Sequence, residues 1–433
     1  MNLKISLIIL VLVFSQGALA KEIRQTKPEN VGMSSERLLR METLNQSYVD
    51  EGKLAGVLTM IARKGKIIHI DTAGTMGVEN TTAITEKTLF RIYSMTKPIT
   101  AVALMMLYEE GAFQLSDPVG KFLPEFANLT IWTAAGDIKT NGPMTMRHLL
   151  THTSGLSYGF NPKEPVDQLY QEEFKSIPKD LAEYAQVMAK LPLKFEPGER
   201  WHYSMASDVL GAVAEKISGQ RFDQLLKQRI FDPLGMADTF FDVPADKVER
   251  LVDNHYWNPQ HNQLAKLPIG GVVNPSTSDV TLFLGGQGLV STIGDYMKFA
   301  EMLRKGGEFA GKRLLSPKTI EFMTQNHLNA VTRVTSSGES PAIGLESSGL
   351  ESSGLQGSAP GTGFGLGFGI LTDPIEAGVL ASKGSYFWGG AAGTLFWIDP
   401  EEELVGIAMM QLMGSPWPFR QEMMVLSYQA ITE

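Results

Sequence analysis

Two pairs of apolar, β-branched runs lie at opposite ends of this 433-residue chain, and they decide what it can fold into. Near the start, Ala55 to Ile61 and Ile67 to Ile70 flank Arg63-Lys64-Gly65-Lys66 and read as a β-hairpin. Near the end, Gly393 to Ile398 and Leu404 to Leu412 flank Asp399-Pro400-Glu401-Glu402 and read as another. The pattern between them is mostly helical. Lys97 to Glu110 is an amphipathic run, and Met146 to Thr151 is a short helix stopped by Ser154-Gly155. Ser207 to Ile217 and Phe222 to Ile230 form a pair ended by Asp232-Pro233-Leu234-Gly235, and Asp295 to Arg304 is one more helix. Gln421 to Ile431 closes the chain with a helical pattern. The simplest assembly is one sheet built from both termini with a helical domain inserted, an α/β (α+β) chain. It divides into a sheet domain, 21–88 and 290–433, and a mainly helical domain, 89–289, with the site expected in the cleft between them.

Composition removes several function classes. A net charge of −9 gives no electrostatic footprint for nucleic acid. The absence of cysteine excludes disulfides, thiolate-bound zinc and thiol catalysis. The seven histidines form no H-E-x-x-H pattern, and no isolated carboxylate pair points to a glycosidase. No metal or cofactor is therefore expected. At the N-terminus Lys4 precedes the apolar run Ile5 to Phe14 and then Ala18-Leu19-Ala20, the layout of a cleavable secretory signal covering 1–20. The mature chain is expected to start near Lys21 and to work in the periplasm or outside the cell. It holds no run long enough to span a membrane. GLESS occurs twice in tandem, Gly344 to Ser348 and Gly349 to Ser353, and reads as a mobile loop without an assigned function.

Two serines compete for the role of nucleophile. Ser157 sits in GLSYG, which fits the G-x-S-x-G nucleophile elbow. An elbow needs a strand before the serine and a helix after it. Here a helix end and loop precede it and two prolines, Pro162 and Pro165, follow, so the segment reads as a glycine-rich loop. Ser94, in Ser94-Met95-Thr96-Lys97, stands at the start of the helix that ends near Glu110. Lys97, three residues on, shares its helix face. A serine hydroxyl is a poor nucleophile until a base takes its proton. A lysine can be that base when burial depresses its pKa. Pro98 falls in the first turn, where its missing N–H costs little. Downstream, Trp201-His202-Tyr203-Ser204-Met205 opens the helix at Ser207, where a tyrosine can carry a proton-transferring phenol. Gly389-Gly390, within Ser385 to Thr394, lets a substrate approach the backbone closely. His202 reads as a structural or rim residue.

In this order and at these separations, the three elements resemble serine hydrolases related to class C β-lactamases and penicillin-binding proteins. His148-Leu149-Leu150-Thr151-His152-Thr153-Ser154-Gly155, Glu196-Pro197-Gly198 and Asp232-Pro233-Leu234-Gly235-Met236 are similar to family segments. The resemblance implies a β-lactamase/transpeptidase-like fold with an antiparallel sheet flanked by helices. It further implies an acylated Ser94, an activating Lys97, Tyr203 as their partner, and an oxyanion hole from the N–H groups of Ser94 and Ala391. Two positions depart from the β-lactamase pattern. Met205 replaces the asparagine of Y-x-N, and Trp388-Gly389-Gly390 replaces K-T-G. Losing the lysine removes a charge-assisted bond to a β-lactam carboxylate, roughly 1.5–3 kcal/mol. The W-G-G form looks like family VIII carboxylesterases, so a small uncharged ester of short acyl chain is the expected substrate. A β-lactamase, a D-amino-acid peptidase or DD-carboxypeptidase, and a sensor without turnover stay open as alternatives, as does whether Lys97 or Tyr203 is the principal base.

Overall fold

The strands read from the two ends of the chain meet side by side in one sheet. The structure, a computed structural model, describes residues 22–270, 276–328 and 360–433. The sheet holds β1 (Gly56–Arg63), β2 (Lys66–Gly74), β3 (Thr362–Phe364), β4 (Gly369–Leu371), β5 (Tyr386–Gly389), β6 (Leu395–Asp399) and β7 (Leu404–Met410). Their spatial order is β3-β4-β5-β6-β7-β1-β2, antiparallel throughout. First and last hairpins join through β1 and β7, in register from Val57 opposite Met410 to Arg63 opposite Leu404. The first hairpin turns at Lys64-Gly65, both at positive φ (52° and 73°), whose twist suits a two-residue loop. The expected antiparallel sheet from both termini, within an α/β (α+β) fold, is what the chain forms.

β1 and β7 are buried along their whole length, which is why both read as mostly apolar runs, interrupted in β1 by Thr59 and closed by Arg63. Their side chains alternate between two cores. Leu58, Met60 and Ala62 enter the larger one, while Val57 and Ile61 enter the smaller. The same period assigns Tyr386 and Trp388 of β5 to the larger core and Phe387 to the smaller. A slip of one residue would turn Trp388 away from the helical layer.

Three helices pack on the sheet, α1 (Ser35–Asp50), α4 (Ile293–Arg304) and α5 (Phe419–Tyr428), and two that pair with each other, α2 (Thr96–Glu109) and α3 (Ala206–Ser218), lie in the helical part. α1 and α5 pack together over the smaller core. α1 went unread in the sequence. One of its four buried positions is Asn45, whose amide donates to Thr59 Oγ1 (3.0 Å) and Asp71 Oδ2 (2.7 Å). α2, α3 and α4 contribute to the larger core. α2 is buried at every residue from Thr96 to Leu107, so it is not the amphipathic helix expected there. It runs enclosed against α3, where no face meets water. Each fully buried Leu, Ile or Met side chain stabilises by roughly 1.5–3 kcal/mol. Lys97 runs against that trend.

The expected signal segment, 1–20, and the GLESS tandem, 344–353, lie outside the described residues. Among the described residues, no helix is long and apolar enough to cross a membrane.

Candidate active site

Ser94 lies in a tight turn, Tyr93–Met95, that leads into α2. Tyr93 adopts φ 44°, a conformation that costs a non-glycine residue on the order of 1–3 kcal/mol unless its surroundings hold it. They do. Asn254 Nδ2 donates to the Tyr93 hydroxyl (2.6 Å), the Tyr296 hydroxyl of α4 donates to Met95 O (3.0 Å), and Ile92 N–H donates to Leu289 O (3.0 Å).

Lys97 comes one helical turn later and is fully buried. Its Nζ is 3.2 Å from Ser94 Oγ, 2.8 Å from the Tyr158 hydroxyl and 2.8 Å from Gly286 O. Burial pulls its pKa down to about 7, opposed by the charge of Asp208 in α3. Asp208 is pushed up to about 6 by burial, opposed by Lys97. Gly286 stands between the two groups. Its N–H donates to Asp208 Oδ1 (2.7 Å) while its carbonyl faces Lys97. Only glycine fits there, because a Cβ would lie 2.8 Å from both Asp208 oxygens.

Tyr203, just ahead of α3, is buried, and its hydroxyl donates to Ser94 Oγ (2.7 Å). Burial pushes this phenol well above its ordinary pKa, opposed first by the bond to Ser94. Near neutral pH the site therefore holds a neutral phenol beside an amine that readily loses its proton. Such a set can take the Ser94 proton onto Lys97 while Tyr203 donates to an oxygen on the reaction path.

The GLSYG loop holds a residue that sequence reasoning missed. Tyr158, not Ser157, reaches Lys97, and its ring tilts against Tyr203 with centroids 5.2 Å apart. Ser157 is 1% exposed. Its hydroxyl donates to Asp167 Oδ1 (2.5 Å) and lies 3.4 Å from His202 Nε2. Asp167 also accepts from Asn161 N–H (2.9 Å) and Lys194 Nζ (3.1 Å). Burial holds His202 down at about 3, so its ring is neutral. The grouping of Ser, His and Asp is thus a packed knot without access for a substrate. It ties together two loops whose next residues, Tyr158 and Tyr203, face the site. Gly155, at φ 82°, is required because a Cβ would strike Phe195 O.

The remaining expected residues divide. Trp388 is buried with its ring 5.5 Å from Tyr203 and 5.3 Å from Phe364. Gly389 and Gly390 end β5 in a turn where Gly390 N–H donates to Thr394 O (2.8 Å) and Gly393 N–H to Gly390 O (3.0 Å). Ala391 takes part in neither pair. A Cβ on Gly390 would strike Thr394 Oγ1 and Ile92 O, which packs this turn against the residues leading into Ser94. Met205 marks the N-terminal boundary of α3, partly buried against the larger core, with its N–H on Ser157 O (3.2 Å). Among the described residues it makes no polar side-chain bond to Ser94, Lys97 or Tyr203.

The Beta-lactamase family matches residues 41–426 of the chain. Protein Rv1367c of Mycobacterium tuberculosis is 32% identical over 370 residues, 84% of this chain and 87% of that protein. Esterase EstB of Burkholderia gladioli is 29% identical over 394 residues, 87% of this chain and 90% of the relative. Among solved structures, EstCE1, described as a hydrolase with promiscuous acyltransferase activity, is similar at a TM-score of 0.76 and 26% identity. It spans 91% of this chain and 99% of its own.

Proposed function

This chain belongs to the beta-lactamase family and is a serine hydrolase of that fold, and on that premise we propose that it is an exported carboxylesterase working through an acyl-enzyme on Ser94. One observation carries the reading: Ser94 Oγ lies 3.2 Å from a fully buried lysine amine and 2.7 Å from a phenol. Lys97 takes the Ser94 proton as Oγ attacks the ester carbonyl. The N–H groups of Ser94 and Ala391 hold the oxyanion. Tyr203, hydrogen-bonded to Ser94 Oγ, passes a proton to the leaving alkoxide as the tetrahedral intermediate collapses, and Lys97 restores it. Water, deprotonated by the same pair, then releases the acid. Of the two candidate bases, Lys97 is the principal one, because its pKa is the one burial lowers toward neutrality. The division into a sheet domain, 21–88 and 290–433, and a helical domain, 89–289, belongs to the same proposal, as does removal of 1–20 on export.

An uncharged, short-chain ester is favoured over a β-lactam. Trp388 places an apolar wall beside Tyr203 where the β-lactamase pattern has a lysine, and Met205 offers no amide. The name of EstB, an esterase, points the same way. The test compares kcat/KM for p-nitrophenyl butyrate and for nitrocefin. The ester is expected to be the better substrate by far; a preference for nitrocefin makes the β-lactamase alternative the correct one. Trp388→Lys is expected to raise activity on the cephalosporin modestly, because a lone lysine lacks the packing that would orient it. That gain should shrink as salt rises only if the new charge reaches solvent, since position 388 is buried.

A further inference from the structure

Arg420, in the first turn of α5, is 5% exposed and forms no ion pair with any described carboxylate. A cation there meets the positive end of the helix dipole, so the position does not serve α5. Burying a guanidinium is costly unless its donors are satisfied. Here backbone carbonyls of one turn accept from its Nε and Nη2. Arg420 donates to Gly390 O, to Thr394 O (3.0 Å) and, more weakly, to Gly393 O (3.5 Å). Gly389 makes the room, because a Cβ on it would lie 3.0 Å from Arg420 Cζ. In β5 Gly389 shares the face of Phe387, opposite Trp388, so the guanidinium reaches the turn from behind the site.

The carbonyl of Gly390 and the N–H of Ala391 belong to one peptide unit. In a trans peptide they point in opposite directions. A cation bonded to the carbonyl therefore fixes the direction of that N–H on the other side. It also polarises the amide and strengthens the N–H as a donor. We infer that Arg420 is a positioning residue for ester hydrolysis, setting the orientation and strength of the Ala391 N–H in the oxyanion hole through its bond to Gly390 O. The inference rests on the acyl-enzyme reading above.

Arg420→Met and Arg420→Lys are made in the full chain, and labelling of Ser94 by a fluorophosphonate is measured first in the unsubstituted protein. Absence of label on Ser94 refutes the acyl-enzyme reading itself and is distinguished in that way. Given labelling, Arg420→Met is expected to lower kcat for p-nitrophenyl butyrate on the order of 10–10²-fold, as for a displaced oxyanion donor, with KM changed less than about 3-fold. Arg420→Lys should recover part of the loss, since an ammonium can reach one carbonyl but not all three. The second readout is the infrared carbonyl stretch of the acyl-enzyme, trapped at low pH from an ester with an isotope-labelled carbonyl. It should move to higher frequency in Arg420→Lys, because a less polarised carbonyl is stiffer. This arm remains if Arg420→Met does not fold. A folded Arg420→Met with unchanged kcat, a loss confined to KM, or an unmoved carbonyl stretch in Arg420→Lys overturns the inference.

Discussion

Ser94→Ala is expected to remove ester hydrolysis, with kcat falling on the order of 10⁴-fold or more, as when the nucleophile of a coupled set is deleted. The protein should stay folded. Ser94 is small, and its loss removes one hydrogen bond from Tyr203 and one from Lys97 without opening a large cavity. Fluorophosphonate labelling, followed by peptide mapping, should disappear with the hydroxyl. Ser157→Ala is the informative control. It belongs to the motif that most resembles a nucleophile elbow, yet its hydroxyl is spent on Asp167 inside a closed cluster. Removing it leaves Asp167 with the Asn161 N–H and Lys194 but one donor short, at a cost of about 1–3 kcal/mol in stability. Thermal denaturation should register that loss, while most activity survives and Ser94 is still labelled. A folded Ser157→Ala protein without activity, beside an active Ser94→Ala protein, would move the nucleophile to Ser157 and overturn the assignment.

The contrast between these serines shows where the chain was legible. Strand pairs at both ends were readable because β1 and β7 are buried on both faces and are mostly apolar, with Thr59 the one polar residue inside the β1 run. β5 was less visible as a strand, being four residues long and ending in glycines that a turn requires. The spacing from Ser94 to Lys97 was readable because one helical turn sets it. Tyr158 was not, since its bond to Lys97 spans 61 positions and arises only when the GLSYG loop folds against α2. Gly286 was harder still. It contributes a carbonyl and an N–H, which every residue owns, and its requirement for glycine comes from Asp208, which stands 78 positions away. α2 was misjudged for a related reason. Periodicity describes one helix, and whether its polar positions meet water depends on what packs outside it.

The dependence of activity on pH should report Lys97. Lys97 acts as a base only without its proton, and burial draws its pKa down to about 7. kcat/KM is therefore expected to be low in acid, to rise as pH passes about 7 and to level off above it. The limb is a property of the coupled pair Lys97 and Asp208, which communicate through Gly286. The Asp208 carboxylate favours the protonated amine, so Asp208→Asn should shift the limb toward lower pH. Lys97→Ala should lower kcat on the order of 10²-fold or more and abolish the limb. Tyr203→Phe should bring a loss of similar size but keep the limb, because its phenol is pushed far above neutrality and does not titrate there. In the double variant the losses should not add, since both groups serve one proton path. Measurement of kcat/KM across pH for a neutral ester in these proteins decides the matter. A limb that survives in Lys97→Ala assigns the titrating base to another group, and additive losses in the double variant separate Tyr203 from the path that begins at Ser94.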